Sequence, residues 1–446
     1  MAKDKYCLVL SGGGVKGVYH IGVWTALREL GVEIEAVVGN SVGAVIAAFI
    51  AQGAYGALED IGSRIGLDYV LNIPKELIEK GELRIDPSKW DAFRKFYGTF
   101  SLKKGLDTSP LRRLLETHID EEKIRLRGLD FGVATYNISD MEPREVFLEE
   151  METGELISYL MASSAFPGFE SPKITGKKYI DGGVFDNIPF SMARSRGYNN
   201  IIIVDISGAG INRKPNIIGT RTVYIKNSIN MGGILDFDGK FMADYTLLGY
   251  LDTLKVFGKL RGMNYFIEPD EAMEKSFAEF LETDRVKTAL FNRLPAGRAG
   301  KSEPGSMANA VRRILPKKRR HDPCRLALFA DCAAMILAVD RVKQWSYPDL
   351  FDTLASRESD VRTEAGQIER GGRKAFVSQI RKELKKQRLL RTPYIYHLMG
   401  DHFLPDRLKA NLERYIIAHH PELMSGIFFL EILEAFRTHL TDAESA

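Results

Sequence analysis

The segment from Lys5 to Gly53 runs twice through one pattern: an apolar run, a turn of small residues, then a helix-forming stretch. "KYCLVL" (5–10) reads as a strand that enters the turn "SGGGVKG", and a helix follows from Gly17 to about Leu30. "IEAVVG" (34–39) reads as a second strand, and "VGAVIAAFIAQG" (42–53) as a small-residue helix closed by glycine. Two short strands joined by a helical crossover lie parallel in one sheet. The chain is therefore expected to build an α/β sheet with both small-residue turns on its C-terminal edge, where open α/β folds carry their sites.

Further strands are predicted at 131–138, 177–181, 200–206 and 222–227. A long, mostly helical insertion is expected at about 55–119, including the aromatic stretch "WDAFRKFYGTF" (90–100). Strand signals stop after about residue 270. The Gly-, Pro- and Ser-rich stretch "PAGRAGKSEPGSMANA" (295–310) reads as an exposed connection. The expected organisation is a first domain over 1–270, a connecting segment over 271–306 and an α-helical domain over 307–446. "LALFADCAAMILAV" (326–339) is too short to span a bilayer and contains Asp331, so it reads as a buried helix. Cys7, Cys324 and Cys332 are odd in number and lack metal-ligand spacing, and the charged N-terminus does not resemble a secretory signal. A reducing, cytoplasmic setting is expected, and no metal.

The run Gly12, Gly13, Gly14 between a strand and a helix leaves backbone N–H groups at the positive end of a helix dipole. Such a turn holds either a bound phosphate or an oxyanion formed in a transition state. Gly12, Gly14 and Gly17 meet the dinucleotide spacing G-x-G-x-x-G, but the end of the second strand lacks the acidic residue that a ribose requires. That position holds "GNSVG", with Gly39, Ser41 and Gly43 in G-x-S-x-G spacing. In a nucleophile elbow the serine occupies a crowded strand-to-helix turn that tolerates only small neighbours. The competing reading is a tight turn whose serine caps a helix. With Ser41 as nucleophile, the loop Gly13 to Val15 would offer amides to the oxyanion, and that oxyanion would account for the missing side chains.

A serine nucleophile requires a base. None of the eight histidines is a persuasive candidate: His20 lies on the first helix, His118 in the insertion, and the other six in the C-terminal region. Asp181, in "KKYIDGGVFDNIPF" (177–190), stands at a strand end with Gly182 and Gly183 behind it. An aspartate with a pKa near 3.9 is a weak base, so burial would have to raise its basicity. The alternative for "DGG" alone is a polar turn.

Taken together, these motifs resemble the patatin-like phospholipase family. "GGGVKG" (12–17) looks like its oxyanion loop, "GNSVG" (39–43) its nucleophile elbow and "DGG" (181–183) its aspartate motif. "SSAFPGF" (163–169), Asn187 and Pro189 are also similar, and order and spacing agree from Lys5 to about Asn227. The resemblance implies a three-layer α/β/α fold with a mostly parallel central sheet, with a C-terminal α-helical domain beyond it. It implies a Ser41–Asp181 dyad without histidine and an oxyanion hole from Gly12, Gly13, Gly14 and Val15. Lys16, Gly17, Gly39, Gly43, Gly182 and Gly183 would support the motifs. The implied chemistry is hydrolysis of fatty-acyl esters of phospholipids or other lipids, without calcium or another cofactor.

The expected partner is a lipid ester, met by peripheral contact at the inner face of a membrane. The 90–100 stretch suits an interfacial patch and core packing equally. The basic segment 371–391 reads as a solvated helix in preference to an anionic-lipid or nucleic-acid surface, and no nucleic-acid partner is expected. Two further readings stand beside the hydrolase: a regulated membrane-degrading effector with the C-terminal helices as sensor, and a lipid-binding regulatory module.

Overall fold

β1 (Lys5–Leu10) and β2 (Glu33–Asn40) pair in parallel, with Leu10 opposite Gly39, so both small-residue turns leave the same edge of the sheet. The chain is seen in a computed structural model that describes residues 4–79, 82–83, 105–230, 232, 239–293, 324–370, 413, 415–417 and 419–444. It divides into two compact units, Met1–Phe257 and Gly258–Ala446.

The remaining strands of the main sheet in the first unit are β3 (Asp130–Asn137), β4 (Glu142–Phe147), β5 (Lys173–Ile174), β6 (Lys177–Asp181), β7 (Asn200–Asp205) and β8 (Arg221–Lys226). The eight-stranded sheet runs β8-β7-β1-β2-β3-β6-β5, with β4 beside β3. β8, β7, β1, β2 and β3 are mutually parallel, while β4, β5 and β6 pair antiparallel.

Burial on both faces explains the near-continuous apolar sequence of the central strands. Cys7 and Val9 of β1 pack with Ala36, Val38, Ile201 and Ile203 against Phe190 and Met192, on the side of the short helix Phe190–Ser195. Alternation turns Leu8 and Leu10, also buried, to the opposite face. α1 (Val18–Glu29) and α2 (Val42–Gln52) follow the first two strands, and α3 (Tyr55–Arg64) follows α2. α1 packs closely on the helix Gly239–Val256: a Cβ on Gly249 would strike the Tyr19 carbonyl, and one on Gly22 the Thr246 carbonyl. The fold is a three-layer α/β/α arrangement around a mostly parallel sheet.

In the second unit, helices Glu271–Phe280, Arg325–Ile336, Tyr347–Arg370 and Pro421–Glu444 surround one apolar core containing Phe277, Phe329, Phe429 and Phe436. Arg325–Ile336 is the buried helix expected there. Its Asp331 is fully buried and accepts the amides of Met263, Asn264 and Tyr265 at 2.8, 2.7 and 2.8 Å. Phe266–Ile267 pairs with Gln344–Trp345. These contacts group residues 258–270 with the helices, whereas the sequence pattern ends the first domain at 270. The stretches 90–100, 295–310 and 371–391 singled out above lie outside the described residues, wholly or nearly so.

Among the described residues no helix is long and apolar enough to cross a membrane. Cys7, Cys324 and Cys332 are buried and none is in a disulfide.

Candidate active site

Ser41 follows the last residue of β2 and adopts φ 56° and ψ −129°, a left-handed conformation rare for residues with a side chain. The elbow is built around that strain. A Cβ on Gly39 would run into the backbone of Gly43, and one on Gly43 would lie 2.5 Å from the Leu10 carbonyl oxygen. The Ser41 amide is anchored from below: it donates to Ser163 Oγ at 2.7 Å, and that hydroxyl donates to the Ala134 carbonyl at 2.6 Å.

Asp181 reaches the same place by a route that the strand pattern did not predict. β4 pairs with Gly132–Asn137 along one edge of β3. β2 and β6 must therefore share the other edge. Asn40 pairs with Ala134, and the next residue of β3, Thr135, pairs with Asp181. β6 runs antiparallel and meets the end of β2 head-on, which brings its terminal carboxylate beside the elbow.

Ser41 and Asp181 line the same cavity, and the Ser41 hydroxyl lies near enough to the carboxylate to favour its charged form. Asp181 Oδ1 accepts the Gly183 amide at 2.8 Å and Asn40 Nδ2 at 3.1 Å. Burial raises the Asp181 pKa above the ordinary carboxylate value, and these hydrogen bonds only partly counter it. Asn40 Nδ2 donates to Asn187 Oδ1 as well, at 3.2 Å, and Asn187 Nδ2 donates to the Gly12 carbonyl at 3.2 Å. One amide network thus links the elbow, the aspartate strand and the glycine loop.

Gly13, Gly14 and Val15 line one apolar cavity with Ser41 and Asp181. They lie at the start of a 3-10 turn (Gly14–Gly17), where the first amides have no carbonyl within the turn. Gly12 differs from the other candidate donors: its amide donates to the Asn187 carbonyl at 3.2 Å, which removes it from the oxyanion set. The reason for the glycines also differs from the expected one. At Gly12 a Cβ would lie 2.5 Å from Asn187 Oδ1, and at Gly17 it would overlap Val42. Protein side chains fill that space, so packing alone requires glycine at both positions. Gly182 is constrained likewise, by Asn40 Oδ1 at 2.5 Å.

Lys16 is buried and its ammonium donates to the Ser207 carbonyl at 3.1 Å, tying the glycine loop to the segment after β7. His20 is buried and is not among the residues lining that cavity: Nε2 pairs with the Ser11 carbonyl at 2.9 Å, and burial lowers its pKa to about 4. It is neutral at neutral pH and takes no part in the cavity.

The family profile described as Patatin-like phospholipase matches residues 8–194. This segment is a patatin-like domain. The chain is 29% identical over 219 residues to "Lysophospholipase nte1" of Aspergillus fumigatus, covering 48% of this chain and 12% of that protein. It is 25% identical over 202 residues to "Patatin-like phospholipase domain-containing protein 6" of Homo sapiens, covering 45% of this chain and 13% of that protein. The match thus spans a small part of the length of both relatives. Among solved structures, VipD from Legionella pneumophila aligns with TM-score 0.38 and 14% identity over 83% of this chain and 88% of that chain.

Two side chains to which the sequence reading gave no separate role, Asn40 and Ser163, brace the candidate site. Asn40 stood inside "GNSVG" and Ser163 inside "SSAFPGF", but no spacing rule announces that their side chains hold the aspartate and the elbow amide.

Proposed function

We propose that this chain is a lipid acyl hydrolase that cleaves fatty-acyl esters through a Ser41–Asp181 dyad. One observation supports the reading: Ser41 and a buried Asp181, its basicity raised, line one apolar cavity together with Gly13, Gly14 and Val15. The relatives' printed names, lysophospholipase and patatin-like phospholipase, point to the same substrate class.

In the proposed cycle Asp181 takes the Ser41 proton as Oγ attacks the ester carbonyl carbon. The carbonyl oxygen gains the negative charge and faces the Gly13–Val15 amides, whose dipoles are fixed before the reaction begins. The tetrahedral intermediate collapses, and the leaving alcohol receives the proton back from Asp181. Water then attacks the acyl-serine with Asp181 as base, releasing the fatty acid and restoring the hydroxyl. No imidazole is required, because desolvation raises the basicity of the carboxylate.

The apolar lining suits an acyl chain, and the substrate would be met at a lipid surface. The three cysteines, none in a disulfide, fit a reducing compartment, for which the cytoplasm is our reading.

The test is labelling of the purified chain with a fluorophosphonate, followed by identification of the modified peptide and assay of lysophosphatidylcholine hydrolysis. The expected adduct is on Ser41, and Ser41→Ala is expected to lose both labelling and hydrolysis while unfolding at the wild-type temperature. Full turnover by that variant would end the proposal.

A further inference from the structure

α2 starts one residue after Ser41, and its residues Val42, Val45, Ile46 and Phe49 line the cavity. These positions fall on one helical face, so the apolar wall leads away from the serine for about 12 Å. Leu58 and Ile61 of α3 line it as well. Ile21 and Gly62 also belong to this lining, and the same two residues line a second, mostly apolar cavity. That second cavity lies among α1, α3 and the helix Gly239–Val256, with Met242, Ala243 and Leu247 along it. Ile21 is the one side chain that the two linings share. A Cβ on Gly62 would fall inside contact distance of Ile21 Cδ1, so the Ile21 side chain occupies the space above the bare glycine. Ile21 is buried, with 3% of its surface exposed.

We propose that Ile21, seated on Gly62, is the end wall of the acyl cavity and sets the longest chain the site accepts, with the second cavity lying unused behind it. The inference rests on the hydrolase reading above and adds its chain-length selectivity. A chain too long for the first chamber must fold back or leave its terminal methylenes in water. Each methylene that finds no apolar wall forfeits its favourable transfer out of water. Removing the wall would give that end a second apolar chamber.

The experiment measures kcat/KM of the full chain for lysophosphatidylcholines with decanoyl and palmitoyl chains in mixed micelles of fixed composition. Its readout is the palmitoyl-to-decanoyl ratio, with a thermal melt of each variant alongside. Ile21→Ala is expected to raise the ratio about tenfold. Adding Ala243→Phe, at an exposed position lining the second cavity, is expected to refill that cavity and return the ratio towards wild type. If Ile21→Ala does not fold, Ile21→Val removes only the atom over Gly62 and is expected to raise the ratio by a smaller factor. A ratio that stays within twofold of wild type in a folded variant overturns the inference. So does a rise that Ala243→Phe leaves untouched. A wild-type chain that hydrolyses neither ester overturns the hydrolase reading itself, and this inference with it.

Discussion

Asn40 and Asp181 lie on two strands that meet end to end along one edge of β3, and the Asn40 carboxamide donates to the Asp181 carboxylate across the junction at 3.1 Å. The bond connects the residue before the candidate nucleophile to the candidate base. A second bond from the same nitrogen reaches Asn187, which holds the glycine loop. Asn40 Oδ1 accepts no hydrogen bond and lies against Gly182. The side chain is therefore oriented by what its nitrogen donates.

Asn40→Ala is expected to lower kcat about tenfold to a hundredfold with a smaller change in KM, because Asp181 loses a donor and a positioning contact. The Asn40 bond lowers the Asp181 pKa, so its removal raises that pKa further. The acidic limb of the kcat/KM profile should then move to higher pH, since Asp181 must be ionised to accept the proton. A rate-versus-pH series on wild type and variant checks this; an unmoved limb would mean that Asn40 acts only through packing.

Asp181→Asn should separate activity from stability. Burial raises the folded-state pKa of Asp181 above its unfolded value. Its contribution to stability is therefore greatest below the unfolded pKa and declines as pH rises through the folded one. Asparagine keeps an acceptor for Gly183 and removes the desolvated charge. The variant should be inactive yet about 1 kcal/mol more stable at neutral pH, with the gain disappearing in acid. Urea denaturation at several pH values measures this.

Much of the fold was legible because β1, β2 and β7 are buried on both faces and their turns are made of small residues, so apolar runs and glycine spacing marked them. β4 was not legible: "EPREVF" carries charges and Pro143, which only an edge strand accommodates. The positions of Ser41 and Asp181 could be named from motifs, but their meeting depends on the antiparallel entry of β6, which no local pattern encodes. Gly12 was misread as a donor because a glycine that avoids a clash and a glycine that exposes an amide are the same letter. Only the Asn187 contact distinguishes them.

His20 should make the patatin-like unit acid-sensitive. Its pKa is lowered from 6.5 to about 4 by burial, against the Ser11 carbonyl and the nearby Asp205, both of which favour the charged form. The unfolded state therefore binds a proton that the folded state refuses, and stability falls as pH drops from the unfolded pKa towards the folded one. Full development of that difference amounts to about 3 kcal/mol. His20→Gln keeps a donor for Ser11 and should flatten the dependence of unfolding free energy on pH over that window. An unchanged slope would show that His20 is already protonated in the native state.

The packing of Gly17 on Val42 ties the glycine loop to the first residue of α2, one position after Ser41. Gly17→Ala would force a Cβ into the Val42 methyls, and overpacking of this kind costs about 1–3 kcal/mol. Val42→Ala removes those methyls and should cost less alone, since Val42 is only half-buried. If the clash is the whole cause, the double variant should be more stable than Gly17→Ala, with a coupling energy of about 1–2 kcal/mol. Fluorophosphonate labelling rates should follow the same order, because displacing the loop moves the Gly13–Val15 amides relative to Ser41. Additive unfolding energies, or labelling that Gly17→Ala leaves unchanged, would mean that the loop and the elbow are set independently.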